Sequence, residues 1–222
     1  MADSFKLKWD LSGEREYELG VSKVVLFPMK NGEYQNGVAW NGCTSWDENP
    51  DGADINDIWA DNIKYASFQS PENHKGTIKA FMFPDEFYPC NGMVCPTGMP
   101  GLVYGGQKRA AFGACYRTEI GTDTDEAAGY KLHFVYNCKV QPSGRTHATK
   151  NEHPDPEEMS WDYSSTPVPV EGIDGVEQTS TVEVKSTDFT DAQMLALEKV
   201  VYGFEQTEAR LPMPGEIKTL LS

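Results

Sequence analysis

The sequence predicts a mainly β (α+β) protein, a β-sandwich or partly open barrel with one packed helix, as a single domain over residues 1–222. Two strict alternations of apolar and polar residues, at 130–140 and 159–164, support this prediction. A period of two is typical of a strand with one apolar face and one polar face. One run, at 191–202, has the period and the end signals of a helix. A chain of 222 residues is long enough to bury a core.

The first part of the chain predicts a hairpin and then a long loop. Residues 1–20 mix charges with isolated aromatic residues, and we predict an N-terminal arm there. The segment at 22–30 predicts the first strand, and Asn31-Gly32 is a strong signal for a tight turn back into a partner strand. Residues 43–62 show neither period, so we predict a long inter-strand loop, ordered because it contains aromatic residues.

Strand character returns in the middle of the chain. The segment at 75–83 predicts a strand, and a stretch rich in proline and glycine follows it to about residue 106. The tract 112–164 predicts a three-stranded meander, and 179–187 predicts a further strand. In the strand at 130–140, the side chains expected on one apolar face are Tyr130, Leu132, Phe134, Tyr136, Cys138 and Val140.

The helix at 191–202 has a clear start. Thr190 is a good N-cap, and together with Gln193 it forms the pattern of a capping box. Residues 204–222 are predicted to form a C-terminal arm, with room for a short second helix after Pro214.

The charge balance separates the classes of function. The chain has 34 acidic and 19 basic residues, a formal net charge of −15. This argues against a nucleic-acid-binding protein, because such proteins need clustered lysine and arginine. No apolar run approaches the ~20 residues that span a bilayer. The first ten residues lack the apolar core of a secretory signal, so we expect a soluble cytoplasmic product with no membrane partner.

No motif predicts catalysis, a metal or a cofactor. The sequence has no GxSxG elbow, no glycine-rich phosphate loop and no HExxH pair. Three groups of residues resemble a metal site only in part: Cys90 with Cys95, His147 and His153 with Glu152 and Asp155, and the acids of 47–57. The cysteine pair lacks the second pair of ligands that a zinc site needs. The acids of 47–57 lack the closing Glu of a calcium loop. Five cysteines, an odd number, favour reduced thiols.

Several segments, taken together in their order and spacing from about residue 20 to 216, resemble a known family. They are KVVLFPMKNGEYQNGVAWNG, ADNIKYAS, FGACYRTEIG, GYKLHFVYN, SWDYSSTPV and ARLPMPGEI. They resemble the major tail (tail tube) proteins of long-tailed, non-contractile bacteriophages. The resemblance implies two packed sheets plus a helix, hexameric rings, and rings stacked into a tube through which double-stranded DNA leaves the capsid. It implies no enzyme activity and no cofactor.

The same resemblance implies the partners and the location. The partners are further copies of the chain, the tape measure, tail tip and terminator proteins of the tail, and DNA that passes without being held. The protein is expected in the virion tail, after assembly in the cytoplasm of the bacterial host.

Tail tube proteins use a long inter-strand loop to reach the next ring, and 43–62 is the best candidate for that loop. An apolar cluster with a polar rim is typical of an interface hot spot. The side chains expected at the inter-ring contact are Trp46, Ile55, Ile58 and Trp59. The alternative is a loop that folds back on its own domain.

The polar strand faces are the candidates for the wall of the bore. Lys131, His133 and Asp162 are expected there. DNA should pass without being held, and a net negative subunit favours this because it does not neutralise phosphates. Lys131 and Lys139 run against this expectation. Either these lysines pair with acids across the sheet, or the strand at 130–140 does not line the bore.

Two other functions stay open. The tube of a tailocin or of a contractile injection device shares the implied fold. A carbohydrate-binding β-sandwich module belongs to a different class, in which exposed tryptophans form a binding platform. That module predicts a stable monomer whose tryptophan fluorescence changes with sugar.

Overall fold

The computed structural model describes residues 7–99, 101–150, 152 and 156–222. Strands account for 43% of the chain and helices for 12%, so the fold is mainly β, as the alternations predict. The strands are β1 (Glu16–Lys30), β2 (Glu33–Tyr34), β3 (Val38–Ala39), β4 (Cys43–Glu48), β5 (Asp51–Gly52), β6 (Ile55–Ala60), β7 (Ile63–Gln69), β8 (Glu72–Asn73), β9 (Lys75–Ala80), β10 (Phe112–Thr122), β11 (Gly129–Val140), β12 (Met159–Ser165), β13 (Val168–Pro169), β14 (Gln178–Thr179) and β15 (Thr181–Lys185). The helices are α1 (Asp191–Tyr202) and α2 (Pro214–Leu220).

One large antiparallel sheet organises these elements. Its strands follow the order β2-β1-β10-β11-β12-β9-β4, with β3 also paired to β1 and β15 to β11. The predicted meander is therefore confirmed, since β10, β11 and β12 are neighbours in this order. Three small two-stranded pairs, β13-β14, β5-β8 and β6-β7, complete the strands of the described residues.

The first hairpin forms where the sequence predicts it. Lys30 pairs with Glu33 across a two-residue turn. Asn31 and Gly32 in this turn both have positive φ, 55° and 88°. This is the backbone of a type I′ turn, which asparagine and glycine adopt at low cost.

The predicted N-terminal arm is shorter than expected. β1 begins at Glu16, which pairs with Thr122 of β10. Residues 16–20 therefore belong to the sheet, and only 7–15 precede it among the described residues. This part of the strand could not be predicted, because its side chains are mostly exposed on both faces and so show no apolar–polar alternation.

The expectation of one apolar face on β11 is wrong. Asn137 has a positive φ of 47°, and the register with β10 shifts at this position. One extra residue in a strand inverts the alternation that follows it. Leu132, Phe134 and Tyr136 pack with one cluster of the core, whereas Val135, Cys138 and Val140 pack with the other.

The first cluster, the inner core, lies between β1, β10 and β11 on one side and β12, β9 and β4 on the other. The sheet curls so far that Trp46 of β4 stacks on Tyr116 of β10, with 5.1 Å between ring centroids. Its largest fully buried side chains are Trp161, Tyr163, Phe87, Phe112 and Ile78. Stacked and edge-on aromatic pairs add to the burial of apolar area, so this cluster is a major source of stability.

The second cluster, the helix core, lies between the opposite sheet face and the two helices. The predicted capping box is present at the start of α1, where Gln193 N–H donates to Thr190 Oγ1. Met194, Leu197 and Val201 of α1 are buried, as their spacing predicts.

The short second helix for which the sequence leaves room after Pro214 is present as α2, which begins with Pro214 at its first turn. The expectation of one packed helix and a C-terminal arm at 204–222 is corrected to two packed helices. Leu211, Ile217 and Leu221 are buried in the helix core. Burial of these apolar side chains fixes the segment on the sheet.

Neither helix of the described residues is long and apolar enough to cross a membrane.

Candidate functional site

The predicted loop at 43–62 is mostly strand. β4 pairs with β9 in the large sheet, and β6 pairs with β7 to form a separate hairpin over 55–69, here called the apolar hairpin. Its turn, Asp61-Asn62, has positive φ at both residues, 51° and 61°. The hairpin could not be predicted from the sequence, because its turn lacks glycine. Both of its faces are exposed, so its strands also lack the apolar–polar alternation of a half-buried strand.

Trp46 belongs to the inner core and not to an exposed contact. Its side chain is 8% exposed, and its indole Nε1–H donates to Tyr163 Oη at 3.0 Å. The expectation that Trp46 takes part in an inter-ring contact is therefore wrong. β4 places this residue on the inward side of the curled sheet, opposite Ile78 of β9.

The other three residues of that expectation are exposed on the apolar hairpin. Ile55 is 66% exposed, Ile58 50% and Trp59 65%. Sequence reasoning missed three further members of the surface, although the β-branched and aromatic residues of 63–68 indicate a strand. These are Ile63, Tyr65 and Phe68, all at least 60% exposed. Large exposed apolar patches are typical of surfaces that bind other molecules.

The hairpin offers apolar side chains on both faces. Ile55 and Trp59 share the face of Asp57, whereas Ile58 shares the opposite face with Phe68, whose strand partner is Asn56. Within the described part of the chain, β6 and β7 pair only with each other. A two-stranded hairpin is at best marginally stable alone, so a partner that covers it would stabilise it.

Polar contacts hold the hairpin in register. Lys64 Nζ lies 2.7 Å from Asp57 Oδ1, and Ser67 Oγ donates to the same carboxylate at 2.8 Å. The hydrogen bond from Lys64, and then that from Ser67, lowers the pKa of Asp57. At the root of the hairpin, Lys75 Nζ lies 2.5 Å from Asp51 Oδ2.

Lys131 is paired with acids across the sheet. Its Nζ lies 2.6 Å from Glu18 Oε2 and 3.6 Å from Glu183 Oε2. The hydrogen bond to Glu18 raises the pKa of Lys131. Burial acts to raise the pKa of Glu18, but the hydrogen bonds from Lys131 and Thr118 outweigh it and lower that pKa overall. Of the two interpretations of this lysine, the structure therefore shows the paired one.

His133 lies in the same ionic group, with 6% of the residue exposed. Its ring stacks on Tyr116, with 4.6 Å between centroids and 2° between planes. Nε2 lies 3.0 Å from Glu18 Oε1 and 2.9 Å from Thr118 Oγ1. A carboxylate thus does contact this histidine. With so little of the ring exposed, it is not open to a substrate.

Asp162 faces away from this group. Trp161 and Tyr163, its neighbours in β12, point into the inner core, so Asp162 points outward, where Thr77 Oγ1 donates to it at 2.8 Å. His133 instead shares the inner side with Tyr116, its partner in β10. The expectation that Lys131, His133 and Asp162 line one surface is therefore wrong, because the curled sheet and its bulge put them on opposite faces.

Asp162 is part of a continuous polar surface, here called the outward polar face, that crosses four strands. Cross-strand pairing places its members side by side. They are Ser45 and Asp47 of β4, Lys75, Thr77 and Lys79 of β9, Ser160, Asp162 and Ser164 of β12, and Lys139 of β11. None of these nine residues is buried. Three lysines stand beside two acids, so this face is mixed in charge and not acidic.

Among the described residues, the metal-like groups of the sequence form no metal site. Cys90 is buried and Cys95 is exposed, both as free thiols, and burial raises the pKa of Cys90 to about 12. His147 Nδ1 lies 3.3 Å from Glu157, whereas His153 and Asp155 lie outside the described residues. Across the described ranges, no group of three or more His, Cys, Asp or Glu side chains is placed to hold a metal ion.

Comparison of the sequence with known proteins identifies no relative. The sequence matches no family model, and no curated protein matches it.

Proposed function

We propose that the chain is a tail tube protein of a long-tailed, non-contractile bacteriophage. In this proposal its copies form hexameric rings, and the rings stack into the tube that conducts double-stranded DNA during ejection. The observation that carries the proposal is the apolar hairpin, which exposes large apolar side chains on both faces. Contact with further copies would bury them, and this is a favourable process in water.

Free strand edges support the closure of a ring. Residues 16–22 of β1 pair only with β10, and β15 pairs only with β11, within the part of the chain that the structure describes. These two free edges lie on opposite sides of the four strands β1-β10-β11-β15, and unpaired edges are templates for pairing with another chain. Edge pairing between different strands is head-to-tail, so it can continue from copy to copy until the ring closes.

The outward polar face is the wall that we propose for the bore. It is polar over four strands, and two of its members already bond each other, since Thr77 donates to Asp162. One of its three lysines, Lys75, is paired with an acid, Asp51, and Asp47 and Asp162 also lie on the face. A wall of this kind neutralises few phosphates and releases few counterions, so it holds DNA weakly. Asp162 stays in the proposed bore, whereas Lys131 and His133 do not.

The remaining partners and the location follow from the same proposal. The tube starts on the tail tip, surrounds the tape measure protein and ends at the terminator protein. It is built in the cytoplasm of the host and acts in the virion tail. No enzyme activity and no cofactor is part of this function.

Self-assembly is the first expected result. Concentrated protein should form rings or tubes of uniform bore in negative-stain micrographs, with no nucleotide, metal or enzyme added. Assembly should strengthen on modest warming and with excluded salts such as sulfate, because both favour burial of apolar surface. Protein that remains monomeric at high concentration, even with tail-tip components supplied, would rule out the proposal.

A charge reversal on the outward polar face should make the bore hold DNA. Asp162→Lys adds two positive units per subunit, about twelve around a six-fold ring, in a channel that concentrates the field. Because the side chain is exposed, we expect the variant to fold and to form tubes. Ejection of labelled DNA from virions should slow at low salt and recover at high salt.

The control for this experiment is the same reversal at an exposed acid outside the face. Asp174→Lys makes an equal change in charge in a turn, and it should leave ejection unchanged. Lys139→Glu, on the outward polar face, should if anything ease ejection. Equal ejection by the Asp162→Lys and Asp174→Lys virions at low salt would show that another surface lines the bore.

A carbohydrate-binding module is the second candidate, since Trp59 and Tyr65 are both exposed in the hairpin strands. It predicts a stable monomer whose tryptophan fluorescence changes when sugar is added. Assembly into tubes without such a change would exclude it.

A further inference from the structure

A second exposed apolar surface, besides the hairpin, lies in the segment that joins β9 to β10. Residues 93–99 and 101–109 of this segment are here called the basic loop. Four of its apolar side chains are at least 41% exposed, namely Val94, Met99, Leu102 and Tyr104. The backbones of Val94 and Tyr104 exchange two hydrogen bonds of 2.9 Å. Residues directly opposite each other in an antiparallel pair have their side chains on the same side, so these two belong to one exposed surface.

The fold fixes the base of the basic loop. Phe87 and Cys90, which precede the loop, are fully buried in the inner core. Gln107 N–H donates to the carbonyl of Gly92, which closes the loop at its base. The exposed apolar side chains are therefore presented by a segment that is already anchored in the monomer.

The apolar hairpin and the basic loop lie at opposite ends of β9. This strand begins at Lys75, directly after the segment that holds the hairpin, and ends at Ala80, from which the chain leads to the loop. Between these ends β9 covers about 17 Å, at roughly 3.4 Å per residue. β10 shows the same direction, since it begins at Phe112 directly after the loop, and its Tyr116 donates to Glu48 at the root of the hairpin.

The two surfaces are opposite in charge. Residues 51–75, which hold the hairpin and its root, carry five acids and two lysines, a charge of −3 (2 − 5). Residues 93–109 carry two basic residues and no acid, a charge of +2, and the acids nearest before them, Asp85 and Glu86, lie on the other side of the buried Phe87. A contact between two hairpins would instead bring −3 against −3. Because opposite charges steer encounter and like charges oppose it, the basic loop is the better partner for the hairpin.

We propose that the apolar hairpin of one copy binds the basic loop of the next copy in the stack. This inference rests on the proposed function and names the surface that receives the hairpin. Contact would bury exposed aromatic side chains of both surfaces, such as Trp59 of the hairpin and Tyr104 of the loop. Burial of this kind is favourable in water, and aromatic residues often carry most of the energy of an interface.

This contact repeats along one direction. Each copy presents the hairpin at one end of β9 and the basic loop at the other, so the contact joins different surfaces. Heterologous contacts that do not close generate filaments, and a stack of rings is one. The proposed ring closure uses the strand edges of β1 and β15, whereas this contact uses segments at the strand ends, so one copy can make both.

The first test is Tyr104→Ala, with Leu195→Ala as the matched control. Both side chains are more than half exposed, and the bonds of Tyr104 to Val94 come from the backbone, so neither change should alter unfolding of the monomer. Tyr104→Ala should raise the protein concentration needed for tubes by about tenfold or more, the effect of losing a hot-spot aromatic side chain. Leu195→Ala, on α1, should leave that concentration unchanged.

The second test is a photo-cross-linking residue, benzoylphenylalanine, in place of Tyr104. The variant is mixed with wild-type protein that carries a heavy-isotope label, and tubes are irradiated. It should cross-link to a labelled peptide that contains residues of 55–69, as identified by mass spectrometry. Cross-links only to other segments, or tubes of Tyr104→Ala at the wild-type concentration, would overturn this contact alone. Wild-type protein that forms no tubes at all overturns the proposed function as well, so the two failures are distinguishable.

Discussion

A chain in which Asn-Gly replaces residues 53–71 should remain folded and should form no tubes at any concentration that assembles the wild type. Gly52 and Glu72 are paired directly opposite each other, so a two-residue type I′ turn can join them. The replacement removes the apolar hairpin and leaves the ion pair of Asp51 with Lys75. The loss of assembly should be complete, because the deletion removes the apolar hairpin surface on which the proposed inter-ring contact depends.

Circular dichroism and thermal unfolding would establish the fold of this variant, and sedimentation velocity with electron microscopy would establish its assembly. Met82→Ala serves as the control, since it removes an exposed apolar side chain outside the hairpin. It should assemble as the wild type does. If the shortened chain were unfolded, the hairpin would belong to the stable fold. If it still formed tubes, the hairpin would have no part in stacking.

The elements that could be predicted from the sequence are those whose signals are local. The capping box of Thr190 and Gln193 marks the start of α1, and Asn31-Gly32 marks the first turn. The strands β11 and β12 also appear where their residues alternate. In each case, neighbours within a few residues decide the structure, so no tertiary knowledge is needed.

The face of each strand could not be predicted in the same way. The alternation of 130–140 continues without a break in the sequence, yet the bulge at Asn137 moves Cys138 and Val140 to the other face. This bulge is a property of the pairing of β10 with β11, which local sequence does not encode. For the same reason, the separation of Asp162 from His133 became visible only in the folded chain.

Contacts between distant parts of the chain were equally hidden. Glu18 reaches Lys131 and His133 from more than 100 positions away in the sequence. The exposed tryptophan and the buried one show the same limit. Trp46 and Trp59 each have two acids within two positions in the sequence, and only the pairing of β4 with β9 separates core from surface.

The two tryptophans should therefore differ sharply in their effect on stability. Trp46→Ala should lower the free energy of unfolding of the monomer by about 3–5 kcal/mol, since it removes a large side chain from the inner core and leaves a cavity. Trp59→Ala should change that free energy by no more than about 0.5 kcal/mol, because its side chain is mostly exposed. Urea unfolding below the concentration of assembly measures both. The two substitutions are chemically identical, so effects on the unfolded chain should largely cancel between them.

Trp46→Phe separates packing from the hydrogen bond in this prediction. Phenylalanine keeps an aromatic ring near Tyr116 but cannot donate to Tyr163. Tyr163 Oη keeps His74 Nε2 at 3.2 Å as a partner, so the lost bond should cost only about 1 kcal/mol, plus the volume by which the ring is smaller. The order of stability should then be Trp59→Ala, Trp46→Phe and Trp46→Ala, from most to least stable. If Trp59→Ala were the least stable of the three, the hairpin would pack on its own domain, and its role as a contact for other copies would have to be abandoned.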